Sequence, residues 1–335
     1  MSSIVKIVLD MDMGVDDAIA LALAARSPEF DVLAVTSVAG NAPVDLCTRN
    51  CLLLSELLDI EAPVAAGANR PLARDLLTAQ EVHGADGLGG HLGSLPEPAG
   101  ALLEEPADEL LARLPREHPG EITLVTTGPL TNVAMALARD PDGVALYHRV
   151  VTMGGAFSVP GNTGPVAEFN IYVDPEAAEA VFASGLDITL VPLDATTGAV
   201  LPRTSLEGRE RTSSLPGLKP GRDLGAILYR ALDHYIEFQF DESGLDGGYM
   251  HDPLAVAAAL DEEFLRTTTL EVTVATSGSE RGRTVGTVMG SKLEGTKGDA
   301  AAHGRGVRVA FGHDGARFEH LLEERVLSTV FGPRV

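Results

Sequence analysis

Four aspartates, Asp10, Asp12, Asp16 and Asp17, crowd into the stretch "LDMDMGVDD" near the start of the 335-residue chain. The apolar run "IVKIVL" precedes them and "AIALALAA" follows, so the acids mark a strand-to-helix corner. Amides at a helix N-terminus favour negative charge by only about 0.3–1 kcal/mol per group. Two carboxylates about 4 Å apart repel by roughly 4 kcal/mol at an effective dielectric of 20. Helix capping therefore accounts for one or two of these acids, and a bound cation is the simplest remedy for the rest. The cluster holds oxygens alone, with neither Cys nor His, which points to a hard ion, Ca²⁺ or Mg²⁺, rather than zinc. The competing reading is an acidic helix start whose carboxylates are solvated or capping.

Further along, "HGADGLGG" sets His83 in a Gly-rich loop, and "TTGPLTNVA" puts Thr127 at a strand end with its backbone carbonyl available. "AEFNIYVDPEAA" carries Glu168 and Asn170 on one side of an extended stretch, and "MHDPLAV" places His251 beside Asp252 at a helix N-cap. Each has an ordinary local explanation when taken alone. The D-x-D pair also resembles the strand end of haloacid-dehalogenase-type phosphohydrolases, in which the first aspartate attacks phosphate. That family does not call for the Asp-Asp pair that follows here, and it needs a downstream lysine in a chain with few of them.

These residues need a scaffold. Strands are expected over 4–11, 31–38, 122–127, 149–155 and 187–193, with helices over 16–27, 43–58, 129–139 and 175–184. Most of the strands are continuously apolar, as a parallel sheet covered on both faces requires. "DPEAAEAVF" places Asp174 at an N-cap and Pro175 at the first helical position, and "DPLAVAAAL" repeats the pattern with Asp252 and Pro253. "TLEVTVATS", "RTVGTVMG" and "GVRVAFGHD" read as late strands, partly antiparallel, before a closing helix over 315–330. The least regular stretches are 68–100 and 200–222. The expectation is one α/β domain over 1–335: an open, mostly parallel, Rossmann-like sheet with helices on both faces and antiparallel strands towards the C-terminus. In such a sheet ligands bind beyond the carboxyl ends of the strands, where the acid corner falls, with Gly14 permitting its turn.

Composition narrows the partners. The formal charge of −23 disfavours a nucleic-acid backbone or an anionic membrane surface. No apolar run is long enough to span a bilayer, and the N-terminus lacks a basic region with a cleavage site, so a cytoplasmic protein is expected. Cys47 and Cys51 read as buried core thiols on one helix. Aromatic residues make up 4% with no Trp, which limits stacking on a flat ligand.

In this order, the motifs resemble the inosine-uridine-preferring nucleoside hydrolase family. Its D-x-D-x-G-x-D-D fingerprint stands here as "DMDMGVDD", followed by Gly40-Asn41, the His-Gly-x-x-Gly-Leu loop, T-G-x-L-T-N, M-G-G, A-E-F-N and H-D-P, between residues 10 and 253. One departure is Met13, where the family usually has proline. Met restores a backbone N–H and leaves φ free, so a slightly looser turn is expected.

The resemblance implies an open α/β fold, a bound Ca²⁺ and hydrolysis of the N-glycosidic bond of ribonucleosides. It implies that Asp12, Asp17 and Asp252 hold the ion with the Thr127 carbonyl, and that Asp12 is the general base. Asp16 and Asn41 match residues gripping the 2′- and 3′-hydroxyls. Met153, Asn162, Glu168 and Asn170 match others around the ribose, and Asp10 orients the loop. His251 is the candidate for activating the leaving base, with His83 and Tyr235 on the base side. The transition state would be oxocarbenium-like, stabilised by nearby carboxylates. Without Trp, purine recognition by indole stacking is disfavoured, and two histidines beside a tyrosine suit pyrimidine or broad specificity. The family is commonly dimeric or tetrameric, so a homo-oligomer acting on a small-molecule nucleoside is expected. The rivals are a phosphohydrolase that keeps the metal and a non-catalytic ribose- or nucleoside-binding protein.

Overall fold

A computed structural model describes residues 4–90, 95, 97–209, 223–289 and 306–332. Its main sheet has nine strands in the order β3-β2-β1-β4-β5-β6-β11-β9-β10. They are β1 (Val5–Met11), β2 (Phe30–Ser37), β3 (Val64–Ala66), β4 (Ile122–Thr126), β5 (Arg149–Met153), β6 (Ile188–Val191), β9 (Leu265–Val274), β10 (Thr284–Val288) and β11 (Val307–His313). All neighbours from β3 to β11 pair in parallel. β9 then pairs antiparallel with both β11 and β10. β7 (Val200–Pro202) and β8 (Gly247–Tyr249) form a separate antiparallel pair.

Period-two alternation divides the strand residues between two cores. Ile7, Leu9 and Met11 of β1, with Val125 and Val151, face one side, where α1 (Val15–Ala25), α2 (Val44–Leu57), α6 (Leu224–Ser243), α7 (His251–Leu260) and α8 (Gly315–Leu322) pack. Val8, Ile122, Leu124 and Val150 face the other, covered by α3 (Ala107–Glu117), α4 (Thr131–Arg139) and α5 (Pro175–Phe182). α1 is buried from Val15 to Ala24 because α6 and α7 pack over it. Its all-apolar sequence follows from that position.

The chain runs outward from β1 through β2 to β3 on one side and then crosses to β4 on the other side of β1. The crevice at this switch point is where ligands bind in open α/β sheets. Asp12 lies one residue beyond β1 and Thr127 one residue beyond β4.

Several local expectations need correction. β3 and α3 arise where no element was expected: β3 is only three residues long, and Pro115 interrupts the apolar spacing of α3. Asp174 caps α5 as expected, its side chain accepting from the Ala177 N–H. Asp252 does not cap α7. That helix starts at His251 with Met250 as N-cap, its N–H bonded to the Ala199 carbonyl, and the Asp252 carboxylate is turned instead to Asp16 and Asp17. Asp252 is thus the second helical residue. The 168–170 stretch is not extended either: Glu168 caps a single helical turn, Phe169–Val173. Of the irregular stretch 200–222, residues 210–222 lie outside the described residues.

Candidate active site

The acid corner is built by one tight turn between β1 and α1. Met13 there has φ +33°, a left-handed conformation that proline, fixed near −65°, cannot enter. The freedom in φ that Met brings in place of proline is used in this turn. Gly14 has an ordinary φ of −85°. It is needed for space: a Cβ there would stand 2.5 Å from Asn41 Nδ2 and 2.7 Å from His83 Nδ1.

Asn41 ties the corner together. Its backbone N–H donates to Asp12 Oδ2 at 2.7 Å, and its Nδ2 donates to Asp12 Oδ1 at 3.0 Å and to Asp17 Oδ2 at 3.1 Å. Asp17 also accepts from the Gly14 N–H at 2.8 Å and from Thr127 Oγ1 at 2.6 Å. Carboxylate oxygens of Asp16, Asp17 and Asp252 lie within 4.8 Å of one another. Asp16, matched by resemblance to the sugar hydroxyls, thus stands with Asp17 and Asp252, while Asp12 joins the group from the side through Asn41.

All four acids are buried. Burial raises the pKa of each, and for Asp12, Asp16 and Asp252 the charges that act most are those of neighbouring acids. Asp12 is pushed well above the ordinary carboxylate range by desolvation and then by Asp17. Asp16 rises to about 7 by desolvation and then Asp17, and Asp252 rises well up through desolvation and the other three. Asp17 rises less freely because the Thr127 and Gly14 hydrogen bonds favour its anion. Four buried oxygen donors that repel one another fit a hard divalent cation in donor chemistry and in charge.

Asp10 stands apart. It is fully buried, its Oδ1 accepts from Thr36 at 2.6 Å and from Asn132 at 2.7 Å, and burial raises its pKa to about 6. Both donors hold Asp10 Oδ1 in place beside the corner.

The residues matched to the ribose side lie close to this centre in part. Asn170 Nδ2 donates to the Thr127 carbonyl at 2.7 Å and reaches the Met153 carbonyl and Sδ, both at 3.5 Å. Glu168 is buried with its carboxylate engaged by the N–H groups of Gly155, Asn170 and Ile171. Asn162 is exposed and accepts from the Phe169 N–H at 2.9 Å.

Above the acids lies an aromatic and imidazole wall. The Val15 N–H donates to His83 Nδ1 at 3.1 Å, and since an amide N–H can only donate, the ring's proton sits on Nε2. The His83 ring stacks on buried Tyr235, centroids 5.5 Å apart. His251 stacks on Tyr249 at 5.1 Å, and its Nδ1 is 2.7 Å from Thr196 Oγ1. Burial lowers His83 to a pKa of about 3 and His251 to about 4, so both rings are neutral at working pH. Tyr249 and Thr196 were not singled out from sequence. Neither sits in a motif, and only the tertiary fold brings them to His251.

Comparison with known proteins agrees with this architecture. A family model described as inosine-uridine preferring nucleoside hydrolase matches residues 7–320. The pyrimidine-specific ribonucleoside hydrolase RihA of Salmonella newport is 45% identical over 274 residues, 81% of this chain and 85% of that protein. The plant nucleoside hydrolase PpNRh1 superposes with a TM-score of 0.88 at 35% identity, covering 97% of this chain and 99% of that one. The purine-preferring ribonucleoside hydrolase of Gardnerella vaginalis gives 0.87 at 29%, covering 98% and 99%. The chain belongs to the inosine-uridine preferring nucleoside hydrolase family and is an enzyme that hydrolyses the N-glycosidic bond of ribonucleosides.

Proposed function

We propose that this hydrolase is Ca²⁺-dependent and acts on pyrimidine ribonucleosides, with Asp12 as general base and His251 activating the leaving base. One observation carries the reading: Asp16, Asp17 and Asp252 converge within 4.8 Å in a buried switch-point crevice, beneath two neutral imidazoles. Asp12, Asp17 and Asp252 with the Thr127 carbonyl would hold the ion, and Asp16 stands close enough to join them. When bound, a divalent cation neutralises the clustered charge and makes a water easier to deprotonate.

The protein's own groups supply the rest. Asp12, oriented by two hydrogen bonds from Asn41, takes the proton of the water that attacks the anomeric carbon. Asp16 and Asn41 face the sugar diol, and Met153, Asn162, Glu168 and Asn170 shape the remaining ribose side. As the bond from the anomeric carbon to the base nitrogen breaks, its electron pair stays on the base, and the positive charge developing on the sugar meets the field of the acid corner. A neutral His251 acts as a hydrogen-bond donor to the departing base rather than as a full acid, a role for which neutral imidazoles are suited. His83 and Tyr235 border the base. The pyrimidine preference rests on the absence of Trp, on the imidazole pair, and on the specificity stated in the name of the Salmonella relative.

The continuous sheet from β1 to β11 supports a single domain over 1–335, and the free buried thiols Cys47 and Cys51 suit a reducing, cytoplasmic setting. No helix among the described residues is long and apolar enough to cross a membrane. A homodimer or homotetramer is proposed from family habit. Incubation with uridine, cytidine and inosine, with detection of reducing sugar, tests the reading. Release of ribose fastest from the pyrimidine nucleosides, abolished by a chelator and restored by Ca²⁺, is the expected result. Failure to release ribose from any of them with Ca²⁺ present would overturn it.

A further inference from the structure

Thr196 lies at the end of a single helical turn, Leu193–Thr196, just beyond the carboxyl end of β6. It is fully buried. Its turn is pinned from several sides: the Leu193 N–H donates to the Gly155 carbonyl, Asp194 accepts from the N–H groups of Phe157 and Ser158, and His313 Nδ1 meets the Ala195 carbonyl. The hydroxyl of Thr196 is therefore held at a fixed point, 2.7 Å from His251 Nδ1. Among the described residues this is the hydroxyl's sole hydrogen bond.

A neutral imidazole carries one proton, on either nitrogen, and the partner of the other nitrogen decides which. If Nδ1 held the proton and donated to Thr196, the buried hydroxyl hydrogen would be left with no acceptor. With the hydroxyl donating, both groups are satisfied and the ring's proton lies on Nε2. Stacking on Tyr249, with an interplanar angle of 25°, fixes the plane of the ring, and the hydroxyl fixes its rotation within that plane.

We propose that Thr196 is a positioning residue whose hydroxyl donates to His251 Nδ1, locks the ring in its Nε2–H tautomer and so presents a fixed hydrogen-bond donor to the departing base. The proposal rests on the reading of His251 as the group that activates the leaving base.

The test uses the full chain with Thr196→Val, Thr196→Ser and His251→Ala, on uridine and on p-nitrophenyl riboside, whose leaving group needs no donor. Long-range proton–nitrogen NMR of the histidine rings reads the tautomer directly. Thr196→Val keeps the shape of the side chain, and its turnover of uridine is expected to fall about tenfold, with p-nitrophenyl riboside changed less than about twofold. His251 should pass from one Nε2–H tautomer to a mixture, and Thr196→Ser should restore both rate and tautomer. Equal losses on both substrates, an unchanged uridine rate, or a lost rate with an unchanged tautomer would each overturn the proposal. His251→Ala separates the two failures. If it selectively slows uridine while Thr196→Val does not, only the role of Thr196 falls. If it is unselective, the reading of His251 falls and takes the catalytic consequence of Thr196 with it.

Discussion

Asn41 holds Asp12 with both of its amides, the backbone N–H on Oδ2 at 2.7 Å and the side-chain Nδ2 on Oδ1 at 3.0 Å. This grip orients the carboxylate and favours its anion in a site that otherwise pushes it towards protonation. Asp12→Asn keeps the size but replaces one accepting oxygen by an NH₂ that faces a donor. Turnover of uridine should fall by about a thousandfold or more. Steady-state kinetics, with a melting curve to confirm folding, checks it, and near-normal turnover would refute the role given to Asp12.

Gly40 should tolerate no side chain. A Cβ there would stand 2.1 Å from Asp12 Oδ2, so Gly40→Ala must displace the carboxylate that Asn41 holds. The expected result is a loss of kcat well beyond tenfold with little change in KM. An alanine variant of wild-type activity would mean that Asp12 does not sit where it is described.

Met13 offers a test of the turn itself. Its φ of +33° lies about 100° from the value proline imposes. Met13→Pro, although it restores the residue usual in the family, should lower the melting temperature and weaken Ca²⁺ binding together. A variant as stable as the parent, with full affinity, would show that this turn takes another course.

The buried acids also set how stability varies with pH. Folding raises Asp10 from 3.8 to about 6 and Asp16 to about 7, so between these values the folded state holds protons that the unfolded chain has released. Their contribution is therefore lost as pH rises. His83 and His251 act oppositely: folding lowers them from 6.5 to about 3 and about 4, so their contribution is lost as pH falls below about 6.5. Above about pH 7.5 the unfolded histidines have lost their protons too, and the buried carboxylates set the slope, Asp12 and Asp252 above all because they are raised furthest. Chelator-treated protein should lose melting temperature as pH rises above about 7.5, and added Ca²⁺ should flatten or reverse that slope. Thermal scans across this range with and without Ca²⁺ decide it, and identical slopes would count against ion binding at the corner.

How much of this was legible in the sequence depended on how local the cause was. The crowding of Asp10, Asp12, Asp16 and Asp17 is a property of adjacent positions, and so is the cap of α5 by Asp174. The parallel sheet was legible because β1, β4, β5 and β6 are apolar on both faces. α3 was hidden by Pro115, and α7 starts two residues earlier than the Asp252-Pro253 pair suggests, with Met250 at its N-cap. Glu168 and Asn170 are polar at alternate positions, which reads as a strand until the carboxylate is seen to cap its own turn. Thr196 and Tyr249 could not be found from sequence, since their importance lies wholly in facing His251 across the fold.

The central claim is that the acid corner holds one hard divalent ion, and calorimetric titration of chelator-treated protein with Ca²⁺ at about pH 8, where the carboxylates are least protonated, tests it most directly. The account predicts one site per chain, with binding strongly weakened in Asp17→Asn. Absence of binding, or the same affinity in that variant, would contradict it.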